Sequence, residues 1–410
     1  MKTIGIVAEF NPFHKGHLHL IEQCKKSLDA DRVVVIMSGD FVQRGAPAIM
    51  DKFTRTKMAL SCGADVVLEL PIYYSLGSAE YFASGAVSIL DSLGCIDYLC
   101  FGSECGDISR LTEVAKILAD EPVWFKDALS ENLREGLSFA KARQNALRND
   151  LSSVLASPNN ILAIAYIKAL ILRGSNIKPF TLKRIGAAYN STEVSEFSSA
   201  TAIRELMLSK TLNIPAACGD NRNLSDETLS STLPASCAEL IINYPNKFAT
   251  TIDFSKLLWY KLTLEKNNGF SDYLDITEDL SNKLISAVEK FTSFDDLCFI
   301  LKSKELAYSR ISRSLMHILL DIRADKMALF KADNYTGYAR ILGAKKGSFD
   351  LLKVFRTNSG VPVIGNLKEA NSLSGLQKDL FDSTILSSNI YTGLFFDNTL
   401  NEYKQPLILM

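Results

Sequence analysis

Short apolar, β-branched runs alternate with helix-spaced stretches through the first 200 residues, and this alternation restricts the fold more than any other feature. TIGIVAEF (3–10), RVVVIMSG (32–39), ADVVLELP (64–71) and DYLCFGSE (97–104) carry few charges, as strands covered on both faces do. Between them, HLHLIEQCKKSL, DKFTRTKMALSCG and GSAEYFASGAVSILDSLG space their apolar residues as helices do. The last two close on Gly, a frequent residue just past a helix end. Strands joined through helices are crossover-connected, which predicts a parallel sheet with helices on both faces. A helical block is expected from about 107 to 174, a fifth strand at KPFTLKRIG (178–186), and a helix at SSATAIRELMLS opened by a Ser/Thr cap.

Beyond about residue 210 the alternation stops. AELIINY, FSKLLWYKLTLEK, LSNKLISAVEKF, FDDLCFILKSK and YSRISRSLMHILLDI read as successive amphipathic helices, and YARILGAKKGSFDLLKVF opens a mixed tail. The turn-rich CGDNRNLSDETLS (218–230) places the boundary. The expectation is an α/β domain with a Rossmann-like parallel sheet over 1–217, followed by a mainly helical region over 218–410. Two domains agree with a length of 410 residues at roughly 150 per domain.

Composition narrows the function classes. A net charge of -1, from 45 basic and 46 acidic side chains, argues against a protein coated in positive charge, so any RNA partner must be met by a local patch. The N-terminus MKTIGIVAEFNPF reaches Glu and Pro too soon for a signal segment, and no segment has 18 uninterrupted apolar residues; a cytoplasmic protein without a membrane partner is expected. The eight cysteines lack any CxxC pair and fit reduced, buried thiols. Cys95, Cys100 and Cys105 are spaced too widely for an ordinary zinc site, and no metal site is expected.

Three of the four histidines, His14, His17 and His19, fall within EFNPFHKGHLHL (9–20), directly after the first strand. Ligands of open parallel sheets gather at the carboxyl ends of strands, so this loop lies where chemistry is expected. Gly16 lets the backbone turn into the next helix, whose free N–H groups form an anion site. His14 and His17 add directional donors able to follow charge building on a phosphate oxygen, while His19 faces away.

FNPFHKGH resembles the HxGH motif of the nucleotidyltransferase superfamily, whose members bind ATP on a Rossmann-like sheet and attack its α-phosphate. SSATAIR (198–204) resembles the superfamily's ISSTxIR segment, with Ala200 replacing the second of two serines. That likeness makes Thr201 and Arg204 phosphate candidates; an N-cap with a surface Arg is the alternative. Read together, GIVAEFNPFHKGH, MSGDFVQRGAPAIMDKFTRTKMAL, GADVVLELP, FGSE, SPNNILAIAYIKAL and KRIGAAYN resemble the bacterial tRNA(Met) cytidine acetate ligase family. The resemblance implies ATP and acetate as substrates, elongator tRNA(Met) as partner, and N4-acetylcytidine at the wobble position as product, made through acetyladenylate. Any Mg2+ would ride on the ATP phosphates.

The resemblance assigns His14, His17 and Arg204 to catalysis. It places nucleotide binding along Val7, Ala8, Glu9, Phe10, Asn11, Pro12, Phe13, Lys15, Gly16, Leu18, His19 and Leu20, and at Gly102, Asn159, Asn160, Arg184 and Thr201. Gly102 would let backbone approach a purine, Asn159 and Asn160 are either helix caps or ligand contacts, and Arg184 would pair with a phosphate. Asp40, just past the second strand, is a candidate for orienting or deprotonating the cytosine amine, the alternative being a turn that holds Arg44. In the second half, Arg310 and Arg313 share a helix face and Lys345 and Lys346 follow; these either meet RNA phosphates or are solvated, and His317 is expected in the core. Two other readings are a small-molecule adenylyltransferase, which would leave the last 200 residues without a task, and a non-catalytic nucleotide-binding regulator, which would not need both histidines. A class I aminoacyl-tRNA synthetase would need a second lysine-rich signature, and MLSKT (207–211) lacks its first lysine.

Overall fold

The computed structural model describes residues 1–184, 199–212, 231–304, 306–335, 337–395 and 402–410. The expected strands form as β1 (Thr3–Ala8), β2 (Arg32–Ser38), β5 (Val66–Leu70), β6 (Tyr98–Ser103) and β7 (Lys178–Lys183), with a short hairpin, β3 (Phe41–Val42) and β4 (Ala46–Pro47), after β2. β1 pairs in parallel with β2 and β6, β2 with β5, and β6 with β7. The chain moves outward from β1 to β2 and β5, then returns to the other side of β1 for β6 and β7. This reversal places a crevice beyond the carboxyl end of β1, where such sheets take their ligands.

Burial explains the continuous apolar runs. Val33, Val34, Val35, Ile36 and Met37 are all fully buried. Alternate side chains enter different cores: Val34 and Ile36 pack with Val66 and Leu68 on one face, and Val33, Val35 and Met37 with Ile4 and Ile6 on the other. A strand with helices on both sides has no polar face to show.

The second half departs from its expected separateness. ARILGA becomes β8 (Ala339–Ala344), fully buried and antiparallel to β5, with β9 (Val363–Ile364) and β10 (Ile408–Leu409) parallel to β8. Among the described residues one sheet runs β10-β8-β5-β2-β1-β6-β7, with β9 also on β8. The physical reason is that β5 would otherwise be an open edge, and β8 is apolar enough to be buried there. The turn-rich 218–230 lies outside the described residues. No described helix is long and apolar enough to cross a membrane.

A buried charge cluster joins the two halves. Lys52 Nζ meets Glu69 at 2.6 Å and also pairs with Glu402; Arg340 bonds Glu69 at 2.8 Å and Glu402 at 2.5 Å. Ser388 Oγ donates to Asp40 at 2.7 Å, and the Lys52 amide donates to the other Asp40 oxygen at 3.0 Å. Removing one member would strand charge in a dry interior, so the cluster fixes how these segments dock. His317, as expected, is in the core, its ring between the Leu274 and Leu76 carbonyls at 2.8 and 3.0 Å.

Candidate active site

The segment after β1 forms a tight mouth. Phe10 takes a positive φ of 45°, Asn11–Pro12 is cis, and His14, in extended conformation, caps the helix Lys15–Leu28. His14 Nδ1 accepts from the Gly16 amide at 3.1 Å, and His17 Nδ1 accepts from the His14 amide at 3.3 Å. This reciprocal pair is a capping box built from two histidines. The spacing follows from it: the residue two after His14 donates to it, and the residue three after caps it in return. Gly16 is required for a further reason, since a Cβ there would lie 2.9 Å from His14 Cε1.

The same bonds set the chemistry. With Nδ1 accepting in both rings, each neutral imidazole carries its proton on Nε2 and is a donor. The rings stack at 3.7 Å, and Phe10 and Phe13 close on His17 at 4.9 and 5.5 Å. Burial, reinforced by Arg184 and Arg204, pushes His14 down to about 3. Burial and the adjacent His14 hold His17 well below the usual imidazole range. Both histidines are therefore neutral near pH 7: they stabilise developing charge by N–H donation rather than by proton transfer.

A cleft of about 310 Å³ opens here. Of the expected residues it is lined by Val7, Ala8, Glu9, Phe10, Asn11, His14, His17, Asn159, Arg184, Thr201 and Arg204. Arg204 reaches back to the Asn11 carbonyl at 2.9 Å and to Thr201 Oγ1 at 3.1 Å, while Ser199 Oγ caps the helix Ala200–Leu212 by accepting from the Ala202 amide. The start of a helix, an arginine and two imidazole donors thus face one space, a constellation suited to a polyphosphate. Ser198, the first residue of the matching segment, and KRIGAAYN beyond Arg184 lie outside the described residues.

Other expected residues serve elsewhere. Pro12, Phe13, Lys15, Gly16, Leu18, His19 and Leu20 belong to the turn and helix and do not line the cleft; Phe13 is fully buried, and Leu18 and Leu20 pack on the core. Gly102 makes room for Arg184, whose Cγ would be 3.1 Å from a Cβ there, rather than lining the cleft. Glu104 caps the helix Pro158–Arg173 by accepting from the Asn159 and Asn160 amides, and the Asn160 Oδ1 in turn accepts from the Glu104 and Cys105 amides. Asn160 is therefore structural, and Asn159 faces the cleft while bonding Glu104 at 2.7 Å. Asp40 is corrected: its carboxylate lies in the buried cluster with Lys52 and Ser388, 4% exposed and away from the cleft lining, because burial against the second half claims it. Arg313 pairs with Asp275 at 3.3 Å and is only 13% exposed, a packed ion pair rather than an outward phosphate contact.

Sequence reasoning missed Arg55. It is fully buried, and its guanidinium donates to the carbonyls of Met50 at 2.9 Å, Glu9 at 2.7 Å, Ser38 at 3.0 Å and Gly39. One fork thus ties together the ends of β1 and β2, behind the mouth. Its sequence context is DKFTRTKMALSCG, read only as a helix. Ala249, Thr250 and Thr251 also line the cleft, and no local pattern announced them.

The HIGH Nucleotidyl Transferase family matches residues 1–405. A tRNA(Met) cytidine acetate ligase of Thermoanaerobacter sp. (strain X514) is 37% identical over 419 residues, covering all of both chains. One from Clostridium kluyveri is 41% identical over 410 residues, covering 95% of this chain and 96% of the other. The chain belongs to the tRNA(Met) cytidine acetate ligase family. Among solved structures, Thermotoga maritima TmcAL bound with alpha-thio ATP aligns over the whole of both chains with a TM-score of 0.90 at 29% identity. The apo form of that protein aligns with a TM-score of 0.91. The family likeness therefore includes the β8–β10 extension and the helical segments, not the nucleotide-binding sheet alone.

Proposed function

We propose that this chain uses ATP to activate acetate as acetyladenylate and passes the acetyl group to N4 of the wobble cytidine of elongator tRNA(Met). The observation that carries the reading is the stacked, neutral His14–His17 pair lining one cleft together with Arg204 and Thr201, in a chain whose full-length relatives are named tRNA(Met) cytidine acetate ligase. In the first step an acetate oxygen attacks the α-phosphorus, the bond to the bridging oxygen of the β-phosphate breaks, and pyrophosphate leaves. His14 and His17 donate Nε2–H to the oxygens that gain charge, and Arg204 offsets the charge of the polyphosphate. Mg2+ travels with the phosphates as part of the nucleotide substrate.

In the second step the cytosine amine attacks the acetyl carbon, AMP departs with the bonding electrons, and the amine proton is released to water. The base must be unstacked to reach the cleft. With Asp40 buried elsewhere, no role in this proton transfer is given to it. A small-molecule adenylyltransferase fits less well, because Thr250 and Thr251 of the second half complete the cleft. Seven described cysteines are all unbridged, in keeping with a cytoplasmic reaction.

Exchange of labelled pyrophosphate into ATP, run with a panel of carboxylates, tests the first step. Exchange driven by acetate, followed by acetyl transfer on adding tRNA(Met), is the expected result. Exchange with no carboxylate dependence overturns the reading.

A further inference from the structure

The cleft has two unlike walls. The nucleotide wall comprises the β1 end, the histidine mouth, Arg184 and the helix carrying Arg204. A second part of the lining comes from the β3–β4 hairpin with Phe82 and Thr250–Thr251, and among these residues Arg44 alone is charged. The acid that lines the cleft, Glu9, accepts from the Gln43 amide at 2.8 Å and so ties this hairpin to the end of β1.

The hairpin is held on several sides. Gly45 has φ +83°, and a Cβ there would collide with the Arg313 backbone nitrogen, so the turn lies directly on the helix Tyr308–Leu319. The Gly45 amide bonds the Val42 carbonyl at 2.9 Å, and its own carbonyl accepts from Ser312 Oγ at 2.7 Å. The Ala48 amide donates to the Asp40 carbonyl at 2.8 Å. Arg44 is thus presented from a fixed turn, half-buried, beside the apolar Val42, Ala46, Pro47 and Phe82.

We propose that Arg44 binds the carboxylate of acetate and holds it for attack on the α-phosphate. The proposal rests on the adenylating reading above. An anionic nucleophile approaching a polyanion needs a cation on its own side of the reacting phosphorus, and a guanidinium fork can hold one carboxylate oxygen while the other attacks. The new bond joins that oxygen to phosphorus, the bond to the leaving pyrophosphate breaks, and no proton moves.

Arg44→Gln and Arg44→Lys, assayed by pyrophosphate exchange with acetate and ATP varied separately, test this. Loss of a charge-assisted contact predicts a KM for acetate raised by about 10-fold or more in Arg44→Gln, with the KM for ATP within about twofold, and a smaller rise in Arg44→Lys. Thermal melting checks that both variants fold; should Arg44→Gln be unstable, the acetate-against-ATP split in Arg44→Lys decides. An unchanged KM for acetate overturns the proposal, as does an equal rise for ATP, which would put Arg44 on the nucleotide. A rise confined to the KM for tRNA overturns it in favour of an RNA phosphate contact. Absence of acetate-driven exchange in the unaltered protein is a failure of the adenylating reading itself and is seen before any variant is made.

Discussion

The two walls of the cleft are built in opposite ways. The histidine mouth is shaped by bonds between residues two and three apart, Gly16 to His14 and His14 to His17, whereas the hairpin wall is braced also by Ser312, 267 residues further along the chain, which bonds Gly45. The first carries charge-stabilising donors common to adenylating chemistry, and the second carries the features that would select what is adenylated. On the proposed roles, the difference teaches that charge-stabilising donors can be set by short-range capping while selection of the carboxylate depends on long-range packing. Substitutions at the mouth should therefore act on kcat, and those at the hairpin on KM for the carboxylate.

The strongest test removes what the walls share. Arg55→Met leaves four carbonyls behind the mouth without their donor, and a loss of about 4 kcal/mol in urea unfolding is expected for stranding several buried acceptors at once. A loss under about 1 kcal/mol would mean that the strand ends hold themselves.

Next comes the mouth alone. His17→Ala should fold yet exchange pyrophosphate about 100-fold more slowly, the scale of deleting one charge-stabilising donor, with KM for acetate nearly unchanged. A rate within a few-fold of the unaltered protein would remove His17 from the chemistry.

A third test uses pH. His14 is pushed down to about 3, so the folded protein binds fewer protons than the unfolded chain below the ordinary histidine value; its stabilising contribution is full above about 6.5 and is lost as pH falls toward 3. Between pH 7 and 5 this amounts to ~2 kcal/mol. Asp40, raised to about 6 by burial, has the opposite sign: its contribution is full below about 4 and fades as pH rises through 6. His14→Asn, which keeps a capping side chain, should reduce the acid loss, leaving the share of His17 and the slope of Asp40. Identical pH profiles of urea midpoints for the two proteins would contradict the buried neutral imidazole.

The smallest expected effect is at the brace of the hairpin. Ser312→Ala removes one hydrogen bond to Gly45 and should cost about 1 kcal/mol of stability, with KM for acetate raised a few-fold and ATP unaffected. Equal shifts in both KM values would show that the two walls move together.

Much of the nucleotide wall was legible from residue order. Strand existence and direction followed from β-branched runs between helical repeats, and the His14–Gly16–His17 spacing announced a helix mouth because capping bonds join residues two and three apart. Thr201 and Arg204 were singled out by the likeness of SSATAIR to a segment of the superfamily, and they stand one helical turn apart at a helix start. The runs and the mouth are features whose partners are near in sequence, so periodicity and spacing carry them. Arg55, the seat of Asp40 and the place of β8 were decided only by tertiary structure. A buried arginine on an apolar helix face looks like any other until four carbonyls converge on it. Asp40 had two futures in the sequence, a place at the cleft or a turn that holds Arg44, and the structure gives it a third, the core, where Lys52 and Ser388 supply bonds from segments 12 and 348 residues away. ARILGA could have been a strand anywhere; the open edge of β5 made it part of the same sheet, because unpaired backbone groups and apolar side chains are satisfied there together.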